Sequence, residues 1–242
     1  MMEAVAHTMH AQTNAYRKRV TQAEIVITAW LEKSQKPYVA FSGGKDSSVM
    51  LALVRSIDPE IEAVYCDDQY KFKQTEELLA KTENLRMVAN TTTHIEWFTS
   101  WEPGYKDDAV EYLGDNHPLW AHRLGYDGAC VGIRAEENSY RKIALKSYGQ
   151  LHYVESKKLW QCYPLAWWTV EDVWAYIHTN GTPYNSAYDV MEAQGITKKR
   201  QRIGPLANRR AITQGQAVIL KKCFPDAYRE FSHDHPEIAR YL

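Results

Sequence analysis

The chain has 242 residues, 45% of them hydrophobic and 24% charged, with a formal net charge of −1. That length suits one large α/β domain, or a core domain with a smaller C-terminal appendage, and the near-zero charge excludes global steering toward nucleic acid or a membrane. No apolar run is long enough to span a bilayer, and the first residues lack the basic, apolar and small-residue pattern of a secretory leader, so a cytoplasmic location is expected.

Residues 1 to about 35 carry Ile25, Ile27, Trp30 and Leu31 among polar neighbours. This spacing predicts an amphipathic helix laid on the core, with a homodimer contact as its alternative use. Tyr38-Val39-Ala40-Phe41 reads as a buried strand, Ser42 to Ser47 as a tight loop, and Val49, Met50, Leu53 and Val54 as the apolar face of a helix. A second strand, Glu62 to Asp68, ends in two carboxylates. A helix with Leu78 and Leu79 on its apolar face follows, then a third strand from Leu85 to Ala89, which makes a β-α-β-α-β start.

From Thr91 to about Tyr126 the periodicity is poor, with Trp97, Trp101 and Trp120 near Glu102, Asp107 and Asp108, and only loop and short helix are expected. Order returns with a fourth strand, Asp127 to Arg134, and a helix beyond Arg141. A hairpin is expected over Leu151 to Tyr163, and Thr169 is the expected cap of a helix over Val170 to Ile177. The pattern predicts an α/β fold: an open parallel sheet with helices on both faces, plus a small helical C-terminal segment. The expected divisions are an N-terminal helical segment (1–35), a core α/β domain (36–184) and a helical basic segment (185–242). Cys66, Cys130, Cys162 and Cys223 are widely spaced and never form C-x-x-C, which argues against a disulfide scaffold, a zinc knuckle and an iron–sulfur cluster; reduced, mostly buried thiols are expected.

Ser42-Gly43-Gly44-Lys45-Asp46-Ser47 carries the chemistry. Adjacent glycines let the backbone turn with its N–H groups inward, and the following helix presents the positive end of its dipole to an anion. Lys45 adds a point charge, and the Ser42 and Ser47 hydroxyls add donors. A Walker-type loop is excluded, because Val39 and Asp46 stand where it needs a glycine and a hydroxyl residue. Ligands of open parallel sheets bind beyond the carboxyl ends of the strands, where Ser42 and Asp67 both lie.

The six-residue loop resembles the pyrophosphate loop of the N-type ATP pyrophosphatases, which cut ATP between its α- and β-phosphates. Three further segments are similar, in the same order, to the phosphoadenosine phosphosulfate (PAPS) reductase-like family of that superfamily. They are Cys66-Asp67-Asp68-Gln69-Tyr70-Lys71-Phe72, Gly132-Ile133-Arg134 through Arg141, and Pro164-Leu165 through Tyr184 with Trp168-Thr169 and Asp172-Val173-Trp174 inside it. The resemblance covers residues 38 to 184 and implies a Rossmann-like, adenine-nucleotide α-hydrolase-like fold. It implies ATP and Mg²⁺ as cofactors, bound by Ser42, Gly43, Gly44, Lys45, Asp46, Ser47, Asp67, Gly132, Arg134 and Arg141. Lys45, Asp46 and Arg134 would be catalytic, Asp46 the metal ligand, Asp67 a ribose or adenine contact, and Phe72 a packing residue.

Departures from the family pattern shift the expected reaction. Ala135 replaces the second arginine of an Arg-Arg pair that could fork onto a sulfate or phosphate, and Asn138 stands where serine is usual. The C-terminal cysteine motif of the reductases does not occur in this sequence; Cys223, followed by Phe224-Pro225, is the late thiol, whose neighbouring Lys221 and Lys222 could lower its pKa. Lysine and aspartate intact in the loop point to an ATP user that adenylylates an anionic or oxygen-nucleophile acceptor and releases pyrophosphate. The alternatives are a PAPS or APS reductase, and a nucleotide-binding accessory protein of a DNA-modification or CRISPR-type defence system.

Ala193 to Pro225 contains no Asp or Glu but holds Lys198, Lys199, Arg200, Arg202, Arg209, Arg210, Lys221 and Lys222. The expected partner is anionic: a lid over ATP or a nucleic-acid surface, against the plainer alternative of a solvated helix face. His233 and His235 read as polar surface rather than metal ligands.

Overall fold

In the computed structural model, which describes residues 2–67, 71–89, 121–198, 200–204 and 215–242, the first two helices are α1 (Met2–Ala11) and α2 (Asn14–Lys33). Thr13 separates them and accepts the Tyr16 N–H on its hydroxyl at 3.2 Å, satisfying one of the free donors of the α2 terminus. Tyr16, Ala23, Ile27 and Trp30 then recur every three, four or seven residues and are buried. Ile25 lies off that stripe and is 57% exposed, so the expectation of a core-facing Ile25 is corrected.

Six strands form one sheet in the order β3-β2-β1-β4-β6-β5. These are β1 (Pro37–Ala40), β2 (Glu62–Asp67), β3 (Leu85–Ala89), β4 (Gly128–Val131), β5 (Leu151–Val154) and β6 (Leu159–Cys162). All neighbours are parallel except β5 and β6, the expected hairpin, which leaves β5 as an antiparallel edge. The helices α3 (Lys45–Arg55) and α4 (Lys73–Ala80) are the crossovers from β1 to β2 and from β2 to β3. The chain then returns past β1 to place β4 on its other side, so the strand order reverses between β1 and β4. That reversal opens a crevice at the carboxyl ends of these two strands, where ligands of open α/β sheets bind.

The start of β4 is fixed by close approach rather than by a turn. A Cβ built on Gly128 would lie 2.2 Å from Ser34 Oγ and 2.8 Å from Trp30 Nε1, and Ser34 is held there by donating to Asp127 Oδ1 at 2.5 Å. Glycine lets the end of α2 sit directly on the sheet.

After β4 come α5 (Ser139–Tyr148), the β5–β6 hairpin and α6 (Val170–Asn180). Thr169 caps α6 as expected, in a reciprocal box: its hydroxyl accepts the Asp172 N–H, and Asp172 Oδ2 accepts the Thr169 N–H at 2.6 Å. The chain closes with α7 (Ala187–Ala193), α8 (Ala217–Cys223) and α9 (Pro225–Asp234). One buried cluster runs from Tyr16 and Trp30 through Val39, Met50 and Trp174 to Phe224, Phe231 and Ile238, so both terminal segments share the core of the sheet. Phe72 is a packing residue, its ring 4.2 Å from that of Phe224. Among the described residues, no helix is long and apolar enough to cross a membrane. The tryptophan-rich interval with Trp97, Trp101, Trp120, Glu102, Asp107 and Asp108 lies outside the described residues, as do Asp68 to Tyr70, Lys199, Arg209 and Arg210.

Candidate functional site

The loop leaves β1 at Phe41 and enters α3 at Lys45, so the Ser42–Ser47 motif is half turn and half first turn of the helix. Gly43 has φ +70°, in the left-handed region that a side chain would strain, and a Cβ there would press 3.1 Å against Thr75 Cγ2. The serines hold the loop closed: Ser47 Oγ donates to the Gly44 carbonyl at 2.9 Å, accepts the Ser42 N–H at 3.2 Å, and lies 3.1 Å from Ser42 Oγ. In this arrangement the hydroxyls serve loop geometry, which revises their expected use as free donors. Among the described residues, the N–H groups of Gly43, Asp46 and Ser47 have no hydrogen-bond partner. Three open donors at the start of an 11-residue helix form an anion-binding terminus.

Charge is concentrated beside those donors. Asp46 Oδ2 accepts from Lys45 Nζ at 2.9 Å, and Asp46 Oδ1 accepts from Arg134 Nε at 2.6 Å. Burial alone would push the Asp46 carboxyl up, but the Lys45 and Arg134 charges and hydrogen bonds outweigh it and hold the group below its ordinary value. Burial likewise opposes the charge on Arg134, and Asp46 with Glu136 restores it, so the guanidinium is held above its ordinary value. Arg134 continues outward: its Nη1 donates to Glu136 Oε2 at 2.6 Å, and its backbone N–H donates to Glu137 Oε2 at 3.0 Å. Glu137 also accepts from Arg141 Nη1, the i,i+4 partner on α5.

Gly132 brings the two strand ends together. A Cβ there would meet the backbone of Asp46 and Ser47 at 3.3 Å, so a side chain would push the β4 tail away from the loop. The structure therefore assembles Ser42, Gly43, Gly44, Lys45, Asp46, Ser47, Gly132 and Arg134 in one crevice, with Arg141 linked to it through Glu137. Asp67 sits at the end of the neighbouring strand β2, where it pairs with Lys71 at 2.7 Å. Both Asp46 oxygens are taken by cations, so a divalent ion would have to displace one of them beside two positive charges. The arrangement does not fit Asp46 as a metal ligand, and among the described residues no group of three His, Cys, Asp or Glu side chains could hold a metal ion.

Two features were not assigned from sequence. Tyr188, at the start of α7, is buried and accepts the Lys45 N–H on its hydroxyl at 3.1 Å, with Lys45 Nζ 5.4 Å from its ring centre. The signal was faint: Asn185, fully buried and donating to Thr75 Oγ1 at 2.8 Å, fixes the turn that aims Tyr188 back at the loop. Ile203 is the second, its carbonyl oxygen 3.6 Å from the Cβ position of Gly44, which lays the start of the basic segment across the loop. A separate cleft of about 450 Å³ lies between α3, α4 and the 182–186 turn, lined by Phe41, Arg55, Leu78 and Tyr184 among others. None of the loop's charged residues lines it.

Cys223 is buried on α8, as expected of a packed helix residue, and desolvation pushes its thiol up more than Lys222 pulls it down.

Residues 36–204 match the family model described as the phosphoadenosine phosphosulfate reductase domain. An adenosine 5'-phosphosulfate reductase of Bacillus anthracis is 25% identical over 194 residues, covering 72% of this chain and 80% of the relative. One from Bacillus thuringiensis is 26% identical over 189 residues, covering 70% and 76%. Among solved structures, the PAPS reductase of Candida auris in its phosphate complex superposes with a TM-score of 0.55 at 19% identity, covering 76% of this chain and 88% of that one. The FMN adenylyltransferase of Candida glabrata with ATP gives 0.50 at 14% identity, covering 77% and 65%. A U34-tRNA thiolase of Methanococcus maripaludis gives 0.50 at 12% identity, covering 98% and 84%. At these identities the structures speak to the fold alone. With the family match running from the start of β1 through the loop, the Gly132–Arg141 segment and the capped helix α6, the chain belongs to the PAPS reductase-like family of the adenine-nucleotide α-hydrolase superfamily.

Proposed function

We propose that the protein binds ATP with its phosphates on the Ser42–Ser47 loop, transfers the adenylyl group to an acceptor oxygen, and releases pyrophosphate. The acceptor oxygen bonds to the α-phosphorus as the bond from that phosphorus to the bridging β-oxygen breaks, and the leaving pyrophosphate takes the electron pair. Such a transfer asks the protein mainly for position and charge. The carrying observation is the Lys45–Asp46–Arg134 cluster beside three open amides. Asp46 holds both cations at the loop mouth, where they would neutralise charge developing on the leaving group. Mg²⁺ would be carried mainly by the phosphates, and when bound it would supply charge neutralisation and phosphate orientation.

Ala135 favours ATP over a sulfonucleotide. Its side chain is buried against Leu145 and Ala166, and its N–H is fixed to the Ala166 carbonyl at 2.8 Å, so this position faces packing rather than an anion. The basic segment is read as a lid. Lys198 is engaged by His7 and the face of Trp174, and Lys222 by the Gln194 carbonyl, while the exposed Arg200 and Arg202 side chains, beside the Ile203 contact, have no hydrogen-bond or ion-pair partner among the described residues.

Titration calorimetry tests both parts. Lys45→Ala is expected to weaken ATP binding about tenfold, the loss of one charge-assisted contact, and Arg202→Ala to weaken it less while sparing any salt-dependent RNA binding. Equal ATP affinity in wild type and Lys45→Ala would remove the loop from the proposal. The second reading, sulfonucleotide reduction, is favoured by what the Bacillus relatives are called. It needs a nucleophilic thiolate, and thioredoxin-dependent sulfite release from PAPS or APS that vanishes in Cys223→Ser would establish it in place of adenylyl transfer.

A further inference from the structure

Tyr188 has a donor that nothing among the described residues uses. Its side chain is 2% exposed, and its oxygen accepts the Lys45 N–H at 3.1 Å. With its acceptor role filled in this way, the phenolic hydrogen remains, and among the described residues no hydrogen-bond acceptor takes it. The hydroxyl lies 3.5 Å from the Cβ position of Gly44, which Ser42 Oγ also approaches to 3.4 Å and the Ile203 carbonyl to 3.6 Å. A buried O–H left without an acceptor is costly, and such groups in folded proteins almost always find one.

The surroundings select the acceptor. Lys45 Nζ stands 5.4 Å from the ring centre, and the N–H groups of Gly43, Asp46 and Ser47 are open. A group bound among these donors carries negative charge and several acceptor oxygens, which is the description of a phosphate. The ring is held from behind by Trp174, edge to face at 5.5 Å, and by the turn that Asn185 anchors to Thr75, so the hydroxyl is aimed before anything binds. Burial keeps the phenol protonated and thus a donor; the neighbouring Asp46 charge adds to that effect.

We infer that Tyr188 is a phosphate-positioning residue, accepting the Lys45 amide proton and donating its own to an oxygen of the pyrophosphate moiety held in the loop. The inference rests on the nucleotide-binding reading above and adds to it a residue from α7, outside the loop.

The test uses inorganic pyrophosphate and adenosine as separate probes on the full chain. Tyr188→Phe keeps the ring on Trp174 and removes only the hydroxyl. It is expected to weaken pyrophosphate and ATP binding about tenfold or more and to leave adenosine binding unchanged. A purely structural role would instead lower the melting temperature and weaken all three ligands alike. To keep the test independent of how that variant folds, 3-fluorotyrosine is placed at position 188 of the otherwise unaltered chain. Its ¹⁹F resonance is expected to move with pyrophosphate and not with adenosine. A wild type that binds pyrophosphate while the fluorine signal stays still, or while Tyr188→Phe binds it equally well, overturns the inference alone. A wild type that binds neither ATP nor pyrophosphate overturns the nucleotide reading along with it.

Discussion

Replacing Asp172 by alanine is expected to cost about 3–5 kcal/mol of folding stability, the range for removing one partner of a buried charge pair. The side chain is fully buried at the start of α6 and meets three elements at once. Arg19 of α2 donates Nη1 to both carboxylate oxygens at 3.0 and 2.9 Å, His10 of α1 donates Nε2 to Oδ1 at 2.8 Å, and Thr169 donates both its N–H and its hydroxyl to Oδ2. Alanine would strand the Arg19 charge, uncap α6 and cut the tie from α1 and α2 to the rest of the chain. Denaturant unfolding should show the midpoint falling without a change of slope. A loss under about 1 kcal/mol would mean that exposed solvent carries Arg19 and His10 as well as Asp172 does.

The same residue sets a pH dependence. Burial would push the Asp172 carboxyl up, but the Thr169 and His10 hydrogen bonds and the Arg19 charge outweigh it and hold the group below its ordinary value. A depressed carboxyl contributes stability that is fully present above its unfolded value, near about pH 4, and is lost as pH falls through the lower folded value. Wild type should therefore lose stability in that acid window more steeply than Asp172→Asn, whose side chain does not titrate. Asp46, depressed by the same kind of pairing, adds to the slope in both proteins.

Why some of this was legible in sequence and some was not comes down to range. The strands Glu62–Asp67 and Leu85–Ala89, the Leu151–Cys162 hairpin and the Thr169 cap are each specified within a few neighbouring residues, and they fold where they were expected. Lys45 and Asp46 were legible because a glycine loop between strand and helix has a local signature. Ile25 is apolar yet faces solvent, because its position on α2 falls off the stripe of Ala23, Ile27 and Trp30. Tyr188 lies 143 positions from Lys45, and nothing near it in sequence says that its hydroxyl will return to the loop. The use of Asp172 was hidden in the same way: its motif was visible, but Arg19 and His10 reach it from 153 and 162 residues away. The loop serines show the reverse error, in which hydroxyls expected to face a ligand are consumed by the local turn.

The second large effect is expected at Arg134. Its side chain, 5% exposed, spans the crevice from Asp46 on α3 to Glu136 beyond β4, and Glu136 Oε2 also accepts the Val170 N–H of α6 at 2.8 Å. Arg134→Ala would remove the cation that shares Asp46 with Lys45. Lys45 would then pair with Asp46 alone, and the loop would carry less positive charge toward a leaving pyrophosphate. For a group acting on developing charge in a sheltered site, loss of turnover by a hundred- to thousandfold is expected, about 3–4 kcal/mol of transition-state stabilisation. Arg134→Lys should recover only part of it, because one ammonium cannot reach Asp46 and Glu136 together as the Nε and Nη1 edges of a guanidinium do. Arg141→Ala should do far less, since Arg141 is 41% exposed and acts through Glu137. The measurement is pyrophosphate release from ATP with water as the acceptor, alongside ATP affinity. If Arg134 neutralises the leaving group, the rate collapses while affinity falls less; if it only holds Asp46 in place, Arg134→Lys restores the rate fully. Unchanged pyrophosphate release in Arg134→Ala would take this residue out of the chemistry and leave it as the brace between α3 and α6.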